Sequence, residues 1–234
     1  MKQKTFYTEL AYALGIFFIA FGTALMEKAD FGMSMVVAPA YVLYLKLSSL
    51  WDFVTFGMME YTLQAVILLL MVLMLRRFRL CYLFSFVTAV IYGFILDGCM
   101  LLAGLPSAPG TVLRIALFLF GAVFCSLGVA LMFRTYLAPE AYELFVKEGA
   151  GYFRVEISRF KTGYDCVSCL LAILLSFLFF GFGVFEGVRL GTVLCALFNG
   201  RLIGLIGKVL DSRFAFQDAL PLRPLFETKE AQAE

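Results

Sequence analysis

Gly15-Ile16-Phe17-Phe18-Ile19-Ala20-Phe21-Gly22-Thr23-Ala24-Leu25-Met26 returns 106 residues later as Gly121-Ala122-Val123-Phe124-Cys125-Ser126-Leu127-Gly128-Val129-Ala130-Leu131-Met132. Glycines, a phenylalanine and the closing Ala-Leu-Met keep their places, and Lys28 is answered by Arg134. The register continues into the next apolar stretch, where Gly57 meets Gly163 and Ile67-Leu68-Leu69 meets Ile173-Leu174-Leu175. Each copy holds three stretches long enough to cross a bilayer. An odd number of crossings turns the second copy upside down, so the sequence predicts two inverted three-helix repeats, an arrangement used by many secondary transporters with a site near the midplane. Residues 1–107 form the first repeat, 108–210 the second, and 211–234 a polar cytoplasmic tail expected to be loosely ordered.

Composition agrees with a membrane location. The chain of 234 residues is 62% hydrophobic and 15% charged, with a mean hydropathy of +0.93, far from the globular average of about 25% charged. The fold class expected is all-α and integral to the membrane. A span needs about 20 apolar residues, and six stretches qualify: 8–27, 53–75, 81–103, 112–133, 163–185 and 188–209. Fourteen Lys and Arg residues fall on the N-terminal side and four (Lys28, Lys46, Arg114, Arg189) on the other. That asymmetry predicts both termini in the cytoplasm.

After the first span of each repeat lies a segment too short to cross. One runs from Phe31 to about Leu47 with Pro39 inside it; the other runs from Leu137 to Val146. About fifteen residues give a helix of roughly 22 Å, so a short re-entrant or interfacial helix is expected in each repeat. A re-entrant helix would offer its free N–H groups to an anionic or carbonyl ligand.

There is no histidine, which excludes His-liganded metals, Ser-His catalysis and His relays. A net charge of +2 without a basic stripe gives no reason to invoke nucleic acid. The six cysteines include a Cys166-Val-Ser-Cys169 pair, but most lie in apolar segments and read as inert buried thiols. No nucleophile and base stand together, so no catalytic residue, metal or cofactor is expected.

Ionisable groups inside a bilayer cost about 2.5–3.5 kcal/mol each on insertion scales and are functional by default. The candidates for substrate or coupling-ion binding are Glu60 and Gln64, one turn apart on the second span, with Asp97, Asp165, Asn199 and Arg201. Asp97 and Arg201 fall at matching places of opposite charge, yet straight helices leave them roughly 10 Å apart along the normal. A water-filled cleft, helix tilt or a bound ligand could bridge that gap; so could separate partners, with Lys28 near Asp97 and Asp165 near Arg201. The bland alternatives are a snorkelling arginine and a structural hydrogen bond from Asp97. The gate candidates are Glu140, Tyr142 and Glu143 on the inner side, mirrored by Asp30 and Ser34 outside. An amphipathic surface helix would explain the inner cluster equally well.

Lys28-Ala29-Asp30-Phe31-Gly32-Met33-Ser34, Arg159-Phe160-Lys161-Thr162-Gly163-Tyr164-Asp165 and the Gly191-Thr192 to Asn199-Gly200 stretch together resemble the YczE/YyaS/YitT family of bacterial membrane proteins. The resemblance implies a multi-pass protein of the bacterial plasma membrane, often described as a candidate transporter without a settled substrate. The leading expectation is a secondary transporter or facilitator for a small polar metabolite or ion, with a homo-oligomer compatible. The rival is a scaffold that docks a cytoplasmic partner through Arg76, Arg77, Arg79 and the tail.

Overall fold

The helices follow the apolar runs. In the computed structural model, which describes residues 4–32, 34–54, 56–79, 81–102 and 110–226, a strand β1 (Lys4–Tyr7) leads into α1 (Thr8–Ala29), the short α2 (Ala38–Ser48), α3 (Phe56–Leu75) and α4 (Cys81–Leu102). The second half continues with α5 (Thr111–Met132), the short α6 (Ala141–Phe153), α7 (Ile157–Phe180), α8 (Leu190–Arg213), β2 (Phe214–Gln217) and α9 (Arg223–Phe226). Among the described residues, six helices (α1, α3, α4, α5, α7 and α8) are long and apolar enough to span a membrane. The 11 residues of α2 and 13 of α6 reach only about 16 and 20 Å, short of a hydrocarbon core of about 30 Å. Pro39 lies in the first turn of α2, where its missing N–H costs nothing and its fixed φ favours helix.

The centre of the molecule is the contact between α1 and α5, the most extensive between any two elements. The helices are antiparallel and their glycines face each other. A Cβ on Gly22 would lie 2.6 Å from the Gly121 carbonyl oxygen, and one on Gly128 would lie 2.6 Å from that of Gly15. Only hydrogen fits there, and small residues are what allow two backbones in a membrane to approach so closely. Phe18 and Phe124 meet beside this seam, with ring centroids 5.7 Å apart.

Two expectations are corrected. The span expected from 163 begins six residues earlier, at Ile157. Arg154, with φ 54°, ends α6 in the left-handed region, and α7 starts almost at once, so a tight turn joins the two helices. The tail is also not loose over its described part. β2 pairs in parallel with β1, Lys4 opposite Phe214 through Tyr7 opposite Gln217. Glu9 accepts the backbone N–H groups of Ala219 (3.0 Å) and Leu220 (2.9 Å) and the Tyr136 hydroxyl (2.8 Å). Arg134 grips Asp211 with two nitrogens at 2.5 and 2.6 Å, and Arg223 grips Asp218 at 2.6 Å. Composition could not reveal this, because every one of these bonds joins residues far apart in sequence except the last. The pairing of β1 with β2 also puts both ends on one face, as an even number of crossings requires.

Candidate functional site

The two short helices begin at a common cavity. It encloses about 850 Å³ of atom-free space counted with its opening, and its walls come from α1, α3, α4, α5, α7, α8 and the segments entering α2 and α6. Ser34, Val36 and Val37 line it before α2; Glu140, Tyr142 and Glu143 line it at the start of α6. Each residue of the first trio is 106 positions from its counterpart in the second, as are Ile19 and Cys125, and Thr23 and Val129, which also line it. Exposed Glu27, near the end of α1, marks the mouth.

The entry segments are held by matching devices. A Cβ on Gly32, whose φ is 127°, would sit 2.5 Å from the Thr192 hydroxyl oxygen, and the Gly191 N–H donates to the Phe31 carbonyl at 3.0 Å. In the other half Thr88 donates to the Ala138 carbonyl at 2.6 Å and meets the Tyr12 hydroxyl at 2.7 Å. Glycine at 32 satisfies both the positive φ and the close approach.

Charge is concentrated on one side of the cavity. The Lys161 ammonium, 1% exposed, stands 3.3 Å from Glu143 Oε1 and 3.0 Å from Asp165 Oδ1. Asp165 is fully enclosed, and among the described residues no donor is well directed at either of its oxygens, the Lys161 ion pair notwithstanding. Glu60 and Glu140 also line the space. Burial pushes the Glu140 carboxyl well above the usual range; the charges of Glu143 and Glu60 push the same way and Lys161 opposes them. The Tyr142 phenol is raised too, first by burial and then by Glu60. Its hydroxyl and Gln64 Oε1 are buried without a hydrogen-bond partner among the described residues. Asn199 accepts from Ser126 at 2.7 Å.

Of the residues singled out from sequence, Ser34, Glu60, Glu140, Tyr142, Glu143 and Asn199 line this one cavity. Gln64 is buried on the same helix as Glu60, and Asp165 stands behind Lys161. Arg201 is exposed and is not Asp165's partner; two residues beyond Asn199, it is turned about 200° around α8. Asp30 is away from the cavity, exposed, and paired with Arg114 (3.1 Å) and Arg189. The Asp97 side chain lies outside the described residues. The inner cluster is not a solvated amphipathic face, since Tyr142, Glu143 and Lys161 are all buried. Lys161 itself was missed, counted among loop cations; its spacing of four from Asp165 was the available signal. The described cysteines, Cys166 and Cys169 included, are free thiols, and among the described residues no group of His, Cys, Asp or Glu gathers as a metal site.

Six helices long and apolar enough to span a membrane define the chain as a multi-pass, essentially all-helical membrane protein. The model of DUF6198, a family of unknown function, matches residues 6–208, and the chain belongs to that family. No curated protein and no solved structure matched it.

Proposed function

We propose that the protein is a small secondary transporter or facilitator that carries a small polar metabolite or ion through this cavity. In this reading residues 1–107 and 108–210 are inverted repeats, the segments around α2 and α6 are re-entrant, and the halves rock about the α1–α5 seam. The carrying observation is that positions 106 apart line a single space: Ser34 with Glu140, Val36 with Tyr142, and Val37 with Glu143. Inverted repeats sharing a central site are how alternating access is built. The glycine contacts support the same symmetry, since the Gly15–Gly128 contact becomes Gly121–Gly22 when the halves are exchanged.

Residence in a bacterial plasma membrane with cytoplasmic termini belongs to the proposal, resting on the positive-inside count. So does kinship with the YczE/YyaS/YitT proteins, and so does function without covalent chemistry on the solute. The test is accessibility in proteoliposomes. Thr23→Cys, in a background without native cysteines, is expected to react with an impermeant thiol reagent from either side of the membrane. Ser107→Cys is expected to react from the outside only. Reaction of Thr23→Cys from a single side under every condition would overturn alternating access.

A further inference from the structure

Apart from Lys161, the charged side chains around the cavity are all carboxylates, with Glu27 at the mouth. Glu60, Glu140 and Glu143 line it, with Asp165 immediately behind. Lys161 is the one cation among the described lining residues, and it is held between Glu143 and Asp165. With all of these groups ionised, three negative charges have no counterion, which a membrane interior does not tolerate unpaired. Among the described residues, Gln64 Oε1, one turn from Glu60, is a buried acceptor without a donor, and the Tyr142 hydroxyl, under the influence of Glu60, Glu140 and Glu143, has no partner. What is missing is a compact cation with several N–H donors. An ammonium group supplies three and accepts none.

We propose that the ligand is a small organic cation carrying a protonated amine, seated between Glu60 and Glu140 with the Tyr142 hydroxyl as a further contact. This rests on reading the cavity as a solute path. The remaining walls, including Ile19, Met26, Val36 and Val129, suit the alkyl part of such a molecule. A bare metal ion suits the site less, because the carboxylates do not converge at ligating spacing among the described residues. An anion suits it least: Glu140 and Glu143 already occupy the N-terminal turn of α6, where an anionic ligand would otherwise bind.

The amine exchanges with a proton. Glu140 faces Glu143 on its own segment, Glu60 on α3, Lys161 on α7, Tyr12 on α1 and Tyr92 on α4. Burial and its acidic neighbours raise its carboxyl above the usual range and so favour its protonated form. An arriving ammonium replaces that proton as the source of compensating charge; Glu140 ionises and the proton leaves to the medium.

The probe is n-butylammonium, with n-butanol and butyrate as neutral and anionic counterparts, titrated calorimetrically into the full chain in nanodiscs. We expect n-butylammonium to bind about tenfold or more tightly than either counterpart, and tighter at about pH 8 than at about pH 6 as Glu140 gives up its proton. Glu140→Gln is expected to weaken binding about tenfold and to remove the pH dependence. Tyr142→Phe, which keeps the ring, is expected to cost about threefold and to fold normally. Unchanged affinity in a well-folded Glu140→Gln protein overturns the proposal. Preference for butyrate or butanol also overturns it, while leaving the transport reading intact. Absence of binding by all three probes overturns it as well; Thr23→Cys accessibility then decides separately whether the cavity is a solute path.

Discussion

Two three-residue ion clusters stand in contrast. At the loop end of α1, Asp30 is shared by Arg114 and Arg189, one anion between two cations, with the Asp30 side chain 63% exposed. Beside the cavity, Lys161 is shared by Glu143 and Asp165, one cation between two anions, with side chains at most 11% exposed. The outer cluster also caps the chain, since Arg114 donates to the Ala29 carbonyl at 2.8 Å and lies over the Phe31 ring. Water and salt can substitute for either outer partner. The inner trio meets solvent only through the cavity that Glu143 and Lys161 line, so its surplus charge is answered from inside the protein or by what enters that cavity.

The largest effect should come from breaking the inner cluster. Lys161→Met leaves two largely buried carboxylates without their shared cation, and removing one member of a buried pair costs about 3–5 kcal/mol. The thermal midpoint of the purified protein is expected to fall sharply, with recovery in the Lys161→Met, Asp165→Asn double variant. No recovery would mean that Lys161 matters for its packing and not its charge.

A smaller effect sharpens the same contrast through pH. Burial raises the Glu140 carboxyl, so folding favours its protonated form. Its stabilisation is complete below the ordinary glutamate value and is lost as pH rises through the raised one. Thermal midpoints of the wild type are expected to decline over that window relative to Glu140→Gln. Identical slopes would show that Glu140 is no better protonated folded than unfolded. The smallest effect is Asp30→Asn, expected to cost under about 1 kcal/mol at low salt and close to nothing at high salt. A large, salt-insensitive loss there would erase the distinction between the clusters.

The sequence carried the six spans because their formation depends on one local quantity, the apolar run, which the chain states openly. It carried Glu60 and Asn199 of the cavity lining for the related reason that polar residues in such runs are rare. Helical phase was the information left unused. Asn199 and Arg201 are two residues apart in text but about 200° apart on α8, whereas Lys161 and Asp165, four apart, share a face. The start of α7 was hidden because Arg159 and Lys161 read as loop, although Lys161 is buried by its partners. The ordered tail was hidden because strand pairing over such a separation leaves no local mark.

That pairing bears on how the molecule is made. Lys4 is synthesised 210 residues before Phe214, its partner in the sheet. All six spans can enter the membrane in order while β1 waits without its strand. Glu9, which must receive Ala219 and Leu220, waits with it. The clasp therefore closes last: β1 and Glu9 stay without their partners until the chain as far as Leu220 is made and released.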